Sequence, residues 1–293
     1  MLNPLALSRG SHYLENALRL AALAEIAYKD DPITGLVPFA DHYRRIQPFA
    51  LEGTFGFVAS DEHNLVVALR GTDQVIDWVT NLSVAQVKAF GGRAHCGFSE
   101  TLDAVWPEIL TRVEGLLDKG QTIWVTGHSL GGALATLVAA RLTAEGFEPH
   151  ITCTFGAPRC FDPKAASSYL PRLYRFVNKG DLVPTTPPAF TLPWYRYAHA
   201  GSLTVTLDAE RGTATTMVAQ DLFRFTRWLF SPKVDWQKNI TQRLTDHAMH
   251  TYISLIKAEL GPETVARMEA DQPATIPMVP MASRIKPRRA LAA

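Results

Sequence analysis

The stretch Thr122-Ile-Trp-Val-Thr-Gly127-His-Ser129-Leu-Gly131-Gly-Ala-Leu-Ala-Thr-Leu-Val-Ala-Ala140 decides the fold of this chain. Its first part, residues 122–126, is apolar and β-branched, which predicts a buried strand. The part from residue 130 onward is rich in Ala and Leu, which favour a helix. Between the two, Gly127-x-Ser129-x-Gly131 is the pattern of a nucleophile elbow, a sharp turn that lifts a serine hydroxyl above a sheet. The alternative is a glycine-rich turn whose serine only caps the helix.

Size and composition narrow the class of protein. The chain has 293 residues, of which 47% are apolar and 19% charged, as in an ordinary soluble globular protein. The formal net charge of +1 gives no reason to expect a nucleic-acid partner. Three cysteines are too few for a disulfide framework, and no Cys/His spacing resembles a zinc site. We therefore expect no metal, no cofactor and no nucleic acid.

The two ends of the chain carry predictions about location and domain limits. Residues 11–28 predict an amphipathic helix rather than a signal peptide, because charged residues interrupt its apolar run. No run is long enough to span a membrane. The expected location is cytoplasmic, or exported without a cleavable N-terminal signal. Residues 1–260 are predicted to form a single domain, and the Pro-rich, basic segment 261–293 a disordered tail.

Short apolar runs alternate with helical patterns along the rest of the chain. The predicted strands are 55–59, 65–69, 122–126, 150–155, 173–177 and 202–207, the last at an edge. Residues 91–98 are predicted to be a loop, and 100–117 an amphipathic helix. This alternation predicts an α/β fold, a mostly parallel central sheet with helices on both faces. In such sheets the chemistry collects at the carboxyl ends of the strands, where Thr72, Ser129 and Asp181 are expected.

A serine nucleophile needs a base, and the base needs an orienting acid. Among the aspartates downstream of Ser129, Asp162 beside Pro163 is explained by helix capping, and Asp208 by a turn. Asp181 directly follows a predicted strand and stands among Gly and Pro, as a fixed loop carboxylate should. We therefore select Asp181 as the acid.

Several histidines compete for the role of the base. His150 precedes a strand and His199 lies in an aromatic segment, whereas His128 adjoins the serine but is expected to point away from it. His247, at a loop-to-helix junction, can reach the site, and His250 is expected to point along the helix. A metal held by residues 247 and 250 lacks a third ligand. His247 is the predicted base.

These pieces together resemble the class 3 lipases, a fungal-lipase-like branch of the α/β-hydrolases. The matching motifs run in order over residues 20–260: Leu69-Arg-Gly-Thr72, His95-Cys-Gly-Phe98, Thr126-Gly-His-Ser-Leu-Gly-Gly-Ala133, Phe155-Gly-Ala-Pro-Arg159, Asn178-Lys-Gly-Asp-Leu-Val-Pro184, Tyr197-Ala-His-Ala-Gly201 and Asp246-His247 before Tyr252. The chain lacks the cysteines that join parts of the secreted fungal members.

The resemblance implies roles for residues of this chain. It implies Ser129 as nucleophile, Asp181 as orienting acid and His247 as base. It implies an oxyanion hole formed by the backbone N–H groups of Leu130 and Thr72. The histidines at 95 and 199 match family positions that are structural.

Residues 73–82 are the expected lid. Their apolar spacing fits a short helix with one apolar side, which is typical of a surface helix or of a lid that turns outward at a lipid surface. The resemblance favours the lid, with its apolar side formed by Val75, Ile76, Trp78 and Val79. The aromatic segment 218–230 has two possible interpretations, as part of the packed core or as a surface that faces a membrane.

The expected function is that of a serine carboxylester hydrolase, a lipase or esterase that acts on acylglycerols or related fatty-acyl esters through an acyl-enzyme. Its expected partners are a lipid or small ester substrate and transient contact with a membrane or lipid interface. One alternative is a phospholipase, or a membrane-acting lipase effector, with the same triad. Another alternative is a hydrolase-fold binding protein without catalysis.

Overall fold

The computed structural model describes residues 13–29, 43, 45–51, 53–72, 83–191, 194–208, 214–216, 242–243 and 245–270. Within them the helices are α1 (Tyr13–Ile26), α2 (Cys96–Leu116), α3 (Leu130–Ala144), α4 (Pro163–Ser167), α5 (Met249–Leu260) and α6 (Pro262–Ala270). The strands are β1 (Arg45–Leu51), β2 (Thr54–Ser60), β3 (Asn64–Leu69), β4 (Gln86–Ala89), β5 (Gly92–His95), β6 (Thr122–His128), β7 (Pro149–Phe155), β8 (Leu173–Asn178), β9 (Phe190–Thr191), β10 (Tyr195–Arg196), β11 (Leu203–Leu207) and β12 (Ala214–Thr216).

The central sheet has the order β1-β2-β3-β6-β7-β8-β11-β12. Its four inner ladders, from β3 to β11, are parallel, whereas the pairs at either side are antiparallel. The register aligns Leu69 with Gly127 and His128 with Phe155. The carboxyl ends of β3, β6 and β7 therefore meet at one edge, where the elbow was expected.

Helices cover both faces of the sheet, because the strands bury both of their sides. On one face α1, α5 and α6 pack over alternate strand residues, among them Phe57, Ala59 and Trp124. On the other face α2 and α3 pack over the intervening residues, such as Val58 and Val67. The predicted α/β architecture with a mostly parallel, doubly covered sheet is confirmed.

Local capping explains where two helices begin. His95 precedes α2, and its side chain accepts a hydrogen bond from the Phe98 N–H. Asp162 precedes α4, and its carboxylate accepts a 2.8 Å hydrogen bond from Ala165. The capping role predicted for Asp162 is therefore confirmed.

Two predicted elements differ from the structure, and one strand was missed. The segment 91–98, predicted to be a loop, contains β5 and the start of α2, because β5 pairs with β4. The strand predicted at 202–207 is not an edge strand, since β11 lies between β8 and β12. The strand β1 was not predicted, because its sequence contains polar residues and Pro48. A proline is tolerated in β1 because this strand pairs only with β2 and lies at the edge of the described sheet.

The domain boundary predicted at residue 260 is also wrong. Gly261, at a φ of 79°, ends α5, and α6 begins directly after it. Met268 of α6 is buried in the same core cluster as α1, and Arg267 forms a 3.0 Å ion pair with Glu15. The ordered domain therefore includes residue 270, and residues 271–293 of the expected tail lie outside the described residues. None of the described helices is long and apolar enough to cross a membrane.

Candidate active site

The elbow forms where β6 gives way to α3. Ser129 has a φ of 58° and a ψ of −129°, a conformation that costs a non-glycine residue on the order of 1–3 kcal/mol. Its side chain forms no capping hydrogen bond with α3. The alternative that this serine only caps the helix is therefore wrong, and the strain instead presents its hydroxyl at the sheet edge.

Two glycines are required by the close approach of backbone segments at this turn. A Cβ on Gly127 would lie 2.2 Å from the Gly131 carbonyl oxygen, and a Cβ on Gly131 would lie 2.3 Å from the Leu69 carbonyl oxygen. Since real Cβ atoms do not come that close to backbone, both positions of the motif exclude a side chain. The pattern in the sequence thus reflects packing between β3, β6 and α3.

Asp181 and His247 form a buried pair beside the elbow. The Asp181 Oδ2 atom lies 2.7 Å from His247 Nδ1, and both residues are 3% exposed. A carboxylate only accepts hydrogen bonds, so Nδ1 carries the proton and Nε2 presents its lone pair. This is the tautomer that a general base needs.

Other groups hold the Asp181 carboxylate in place. Its Oδ1 atom accepts a 2.9 Å hydrogen bond from the Val183 N–H, and Oδ2 accepts a 2.6 Å bond from the Tyr252 hydroxyl. A Cβ on Gly156 would lie 2.8 Å from Oδ2 and 3.0 Å from the His247 ring, so only glycine fits against the pair. Burial and the neighbouring Asp181 raise the pKa of Tyr252 well above its ordinary value, so this hydroxyl remains a donor.

The serine and the histidine are brought to adjoining strand ends. Ser129 donates its backbone N–H to the Phe155 carbonyl at 3.0 Å, and the next residue, Gly156, lies against the His247 ring. Ser129 Oγ and His247 Nε2 are both buried, and neither has a hydrogen-bond partner within the described part of the chain. A hydroxyl donor and a lone pair are thus both left without a partner in the described part of the chain, and catalytic hydrogen bonds often tighten only when substrate is bound.

The groups expected to form an oxyanion hole lie next to Ser129. Leu130 is the first residue of α3, so its N–H has no carbonyl to bind within the helix. Gly71 passes so close to the elbow that a Cβ there would lie 3.0 Å from Ser129 Cβ, and Thr72 follows directly. Backbone from β3 and from α3 therefore flanks the serine on two sides.

His128 supports the base, which the sequence did not indicate. Its ring lies 4.6 Å from the His247 ring, and its Nε2 lies 2.7 Å from the His247 carbonyl oxygen. Nε2 must therefore donate, and Nδ1 accepts from the Tyr28 hydroxyl at 2.7 Å. Burial, and then the nearby His247, lower the pKa of His128 well below 6.5, which keeps this ring neutral.

The competing residues have other roles. His95 and His199 each bind a backbone carbonyl, of Ser83 at 2.5 Å and of Pro184 at 2.7 Å, so both are structural. Asp208 forms a 2.7 Å ion pair with Lys179. His250 is exposed on α5. No group of three metal-binding side chains occurs among the described residues.

The predicted lid lies outside the described residues. This applies to Val75, Ile76, Trp78 and Val79, and equally to the aromatic segment 218–230. Both stay predictions.

Comparison with known proteins shows similarity to lipases. Residues 66–191 match the family model of the class 3 lipases. This part of the chain is therefore similar to the class 3 lipases. It is 33% identical over 147 residues to a secreted mono- and diacylglycerol lipase of Fusarium solani, covering 46% of this chain and 44% of that protein. It is also 33% identical to phospholipase A1-II 4 of Oryza sativa subsp. japonica, covering 45% of this chain and 42% of that one. The chain thus matches less than half of the length of either relative.

The fold extends beyond the region of sequence similarity. A solved triacylglycerol lipase whose catalytic centre is a serine protease triad superposes with a TM-score of 0.58 at 24% identity, covering 83% of this chain and 94% of that one. The chain described here therefore has the α/β-hydrolase fold that its sequence predicted.

Proposed function

We propose that this protein is a serine carboxylester hydrolase that cleaves fatty-acyl esters, such as acylglycerols, through an acyl-enzyme. The observation that carries the proposal is the buried Asp181–His247 pair beside a strained Ser129 that caps no helix. The activities named for the relatives, on mono- and diacylglycerols and on phospholipids, point to the same class of bond.

The reaction begins with proton transfer to His247 Nε2. Ser129 Oγ gives up its proton as it attacks the ester carbonyl carbon, and Asp181 stabilises the imidazolium that forms. The resulting oxyanion accepts hydrogen bonds from the N–H groups of Leu130 and Thr72, each typically worth about 3 to 4 kcal/mol. His247 then protonates the leaving alkoxide, which leaves an acyl group on Ser129. Water, deprotonated by the same histidine, then attacks the acyl carbonyl carbon. The bond to Ser129 Oγ breaks, His247 returns the proton to Oγ, and the acid is released.

Replacement of the serine tests the proposal. We expect Ser129→Ala to lower kcat on p-nitrophenyl butyrate at least about 1,000-fold, since the nucleophile is lost. Ser99→Ala is the matched control, because Ser99 is also buried and its hydroxyl also has no partner among the described residues. The control should retain activity. Undiminished turnover by Ser129→Ala would exclude the proposed nucleophile, and an inactive wild-type chain would favour a binding protein.

The second candidate is a phospholipase with the same triad, which the rice relative favours. Rates on triolein emulsion, phosphatidylcholine vesicles and p-nitrophenyl butyrate distinguish the two functions. A phospholipase should release fatty acid from the vesicles faster than from the emulsion at equal interfacial area. Location in the cytoplasm, or export without a cleavable signal, stays a prediction.

A further inference from the structure

Large apolar side chains are exposed at several places on the described surface. Among the described residues the exposed large ones are Leu51, Phe55, Leu170, Phe190 and Trp194. Leu51 and Phe55 flank the β1–β2 turn, beside the end of β3, and the Arg70 guanidinium lies 5.0 Å from the Phe55 ring. Leu170 lies three residues before β8, so it belongs to the opposite edge.

The strongest of these features is the hairpin β9–β10. Phe190 is 58% exposed and Trp194, at its turn, is 91% exposed. Arg196 lies across the pair from Phe190, with its guanidinium 5.3 Å from the ring. The hairpin follows the Asp181 loop in the chain, and His199, three residues after the hairpin, binds the Pro184 carbonyl of that loop.

A second hairpin places positive charge beside the first. The Gln86 side chain of β4 donates a 2.7 Å hydrogen bond to the Arg196 carbonyl, which joins the two hairpins. Lys88 and Arg93 are exposed and lie directly opposite each other in the β4–β5 pair. Neither has an ion-pair partner among the described residues. Like charges that lie opposite each other destabilise a strand pair, so the stability of the fold does not explain the positions of Lys88 and Arg93.

We propose that these two hairpins are an anchor for anionic lipid surfaces, formed by Phe190, Trp194, Arg196, Lys88 and Arg93. This inference rests on the proposed function, because a hydrolase of fatty-acyl esters must reach substrate at an interface. An indole with an apolar body and a polar N–H suits the boundary between headgroups and acyl chains. The three cations suit acidic headgroups, and a surface of this kind needs no complementary protein shape.

Vesicle binding tests the anchor. The Ser129→Ala protein, which should leave lipid intact, is sedimented with vesicles of phosphatidylcholine and phosphatidylglycerol at 7:3, and with pure phosphatidylcholine. We expect Lys88→Gln/Arg93→Gln to weaken binding to the mixed vesicles about 25-fold, since each cation near an anionic surface contributes roughly five-fold. Trp194→Ala should weaken binding to both vesicles by roughly ten-fold or more.

Matched controls lie at the opposite edge of the sheet. Leu170→Ala removes an apolar side chain that is 82% exposed, and Lys119→Gln/Arg172→Gln removes two exposed cations that precede β6 and β8. Both should bind like the parent. The anchor would be overturned if the control and anchor variants lost vesicle binding equally, or if the anchor variants lost none. The second outcome is also the one expected if the same patch binds a protein.

Activity separates failure of the anchor from failure of the proposed function. With Ser129 intact, Trp194→Ala and Lys88→Gln/Arg93→Gln should hydrolyse soluble p-nitrophenyl acetate within about two-fold of wild type. On emulsions that contain phosphatidylglycerol their rates should fall in parallel with binding. An active enzyme with unchanged emulsion rates contradicts the anchor alone, whereas a wild-type chain that hydrolyses no ester contradicts the proposed function.

Discussion

Asp181 has both carboxylate oxygens engaged, and the two partners of Oδ2 differ in what they do. The carboxylate orients the His247 ring, whereas the Tyr252 hydroxyl donates a 2.6 Å hydrogen bond that holds the carboxylate in place. The same hydroxyl accepts a 3.0 Å hydrogen bond from the Asn178 N–H. Tyr252 thus ties the acid to the end of β8, and we regard it as a positioning residue.

We predict that Tyr252→Phe lowers kcat on p-nitrophenyl butyrate about 10-fold and leaves KM within about two-fold. The loss arises because the carboxylate loses a charge-assisted hydrogen bond and the Asn178 N–H loses its acceptor. Tyr169→Phe is the control, since that buried hydroxyl donates instead to the Thr136 carbonyl at 3.0 Å. Steady-state kinetics of the two variants decide the matter. Equal effects on kcat would assign Tyr252 a merely structural role.

The sequence predicted Ser129, Asp181 and His247 as site residues because each stands at a strand or helix end with turn residues beside it. It did not indicate that His128 packs on the base, since that contact depends on Tyr28 of the segment after α1 and on the backbone of residue 247. These groups are about 100 positions apart along the chain. Only the packing of α1 and α5 on the same face of the sheet brings them together.

At the level of elements, the turn between β6 and α3 depends on glycines that meet other backbone. We predict that Gly127→Ala destabilises the protein by about 3 kcal/mol or more, because the new methyl group would overlap the carbonyl of residue 131. Esterase activity should fall as well, since the turn sets the direction of the Ser129 hydroxyl. Urea unfolding at pH 7.5 measures the change.

Gly115→Ala is the matched control for this substitution. A Cβ on Gly115, near the end of α2, meets nothing within 4 Å. Alanine also favours a helix over glycine, so this variant should be more stable by about 0.5 to 1 kcal/mol. Similar losses in both variants would show that the crowding at residue 127 is not what limits substitution there.

Helices and strands with a strong apolar periodicity were predictable from the sequence. Those that form only because they pair with or pack on another element were not. The strands β2, β3, β6, β7 and β8 and the helices α2 and α3 follow their apolar patterns. By contrast, β4 and β5 are short and mixed in polarity, and each exists because it pairs with the other. The helix α6 carries only one fully buried side chain, Met268, so its sequence resembles a surface segment.

On the scale of the whole molecule, three histidines, two buried and one half-buried, link stability to pH. His95, His128 and His199 lie in different parts of the fold, and burial lowers the pKa of each. For His95 the pKa falls from 6.5 to about 4, although the bond to the Ser83 carbonyl and nearby Glu100 oppose the shift. The unfolded chain therefore binds more protons at these positions than the folded chain does between pH 6.5 and 4.

We predict that acid weakens the fold before the carboxylates titrate. A lowered pKa in the folded state means that the contribution is fully present above pH 6.5 and is lost as the pH falls toward 4. Between pH 7.5 and 5.5 His95, whose pKa falls to about 4, should cost about 1.3 kcal/mol, and His128 and His199 should add losses of the same sign. His95→Asn should reduce this loss by about 1.3 kcal/mol, because Asn caps α2 without taking up a proton. His63→Asn, at an exposed turn, should leave it unchanged. Urea unfolding at the two pH values measures each loss, and a pH dependence identical in His95→Asn and wild type would contradict a neutral, buried His95.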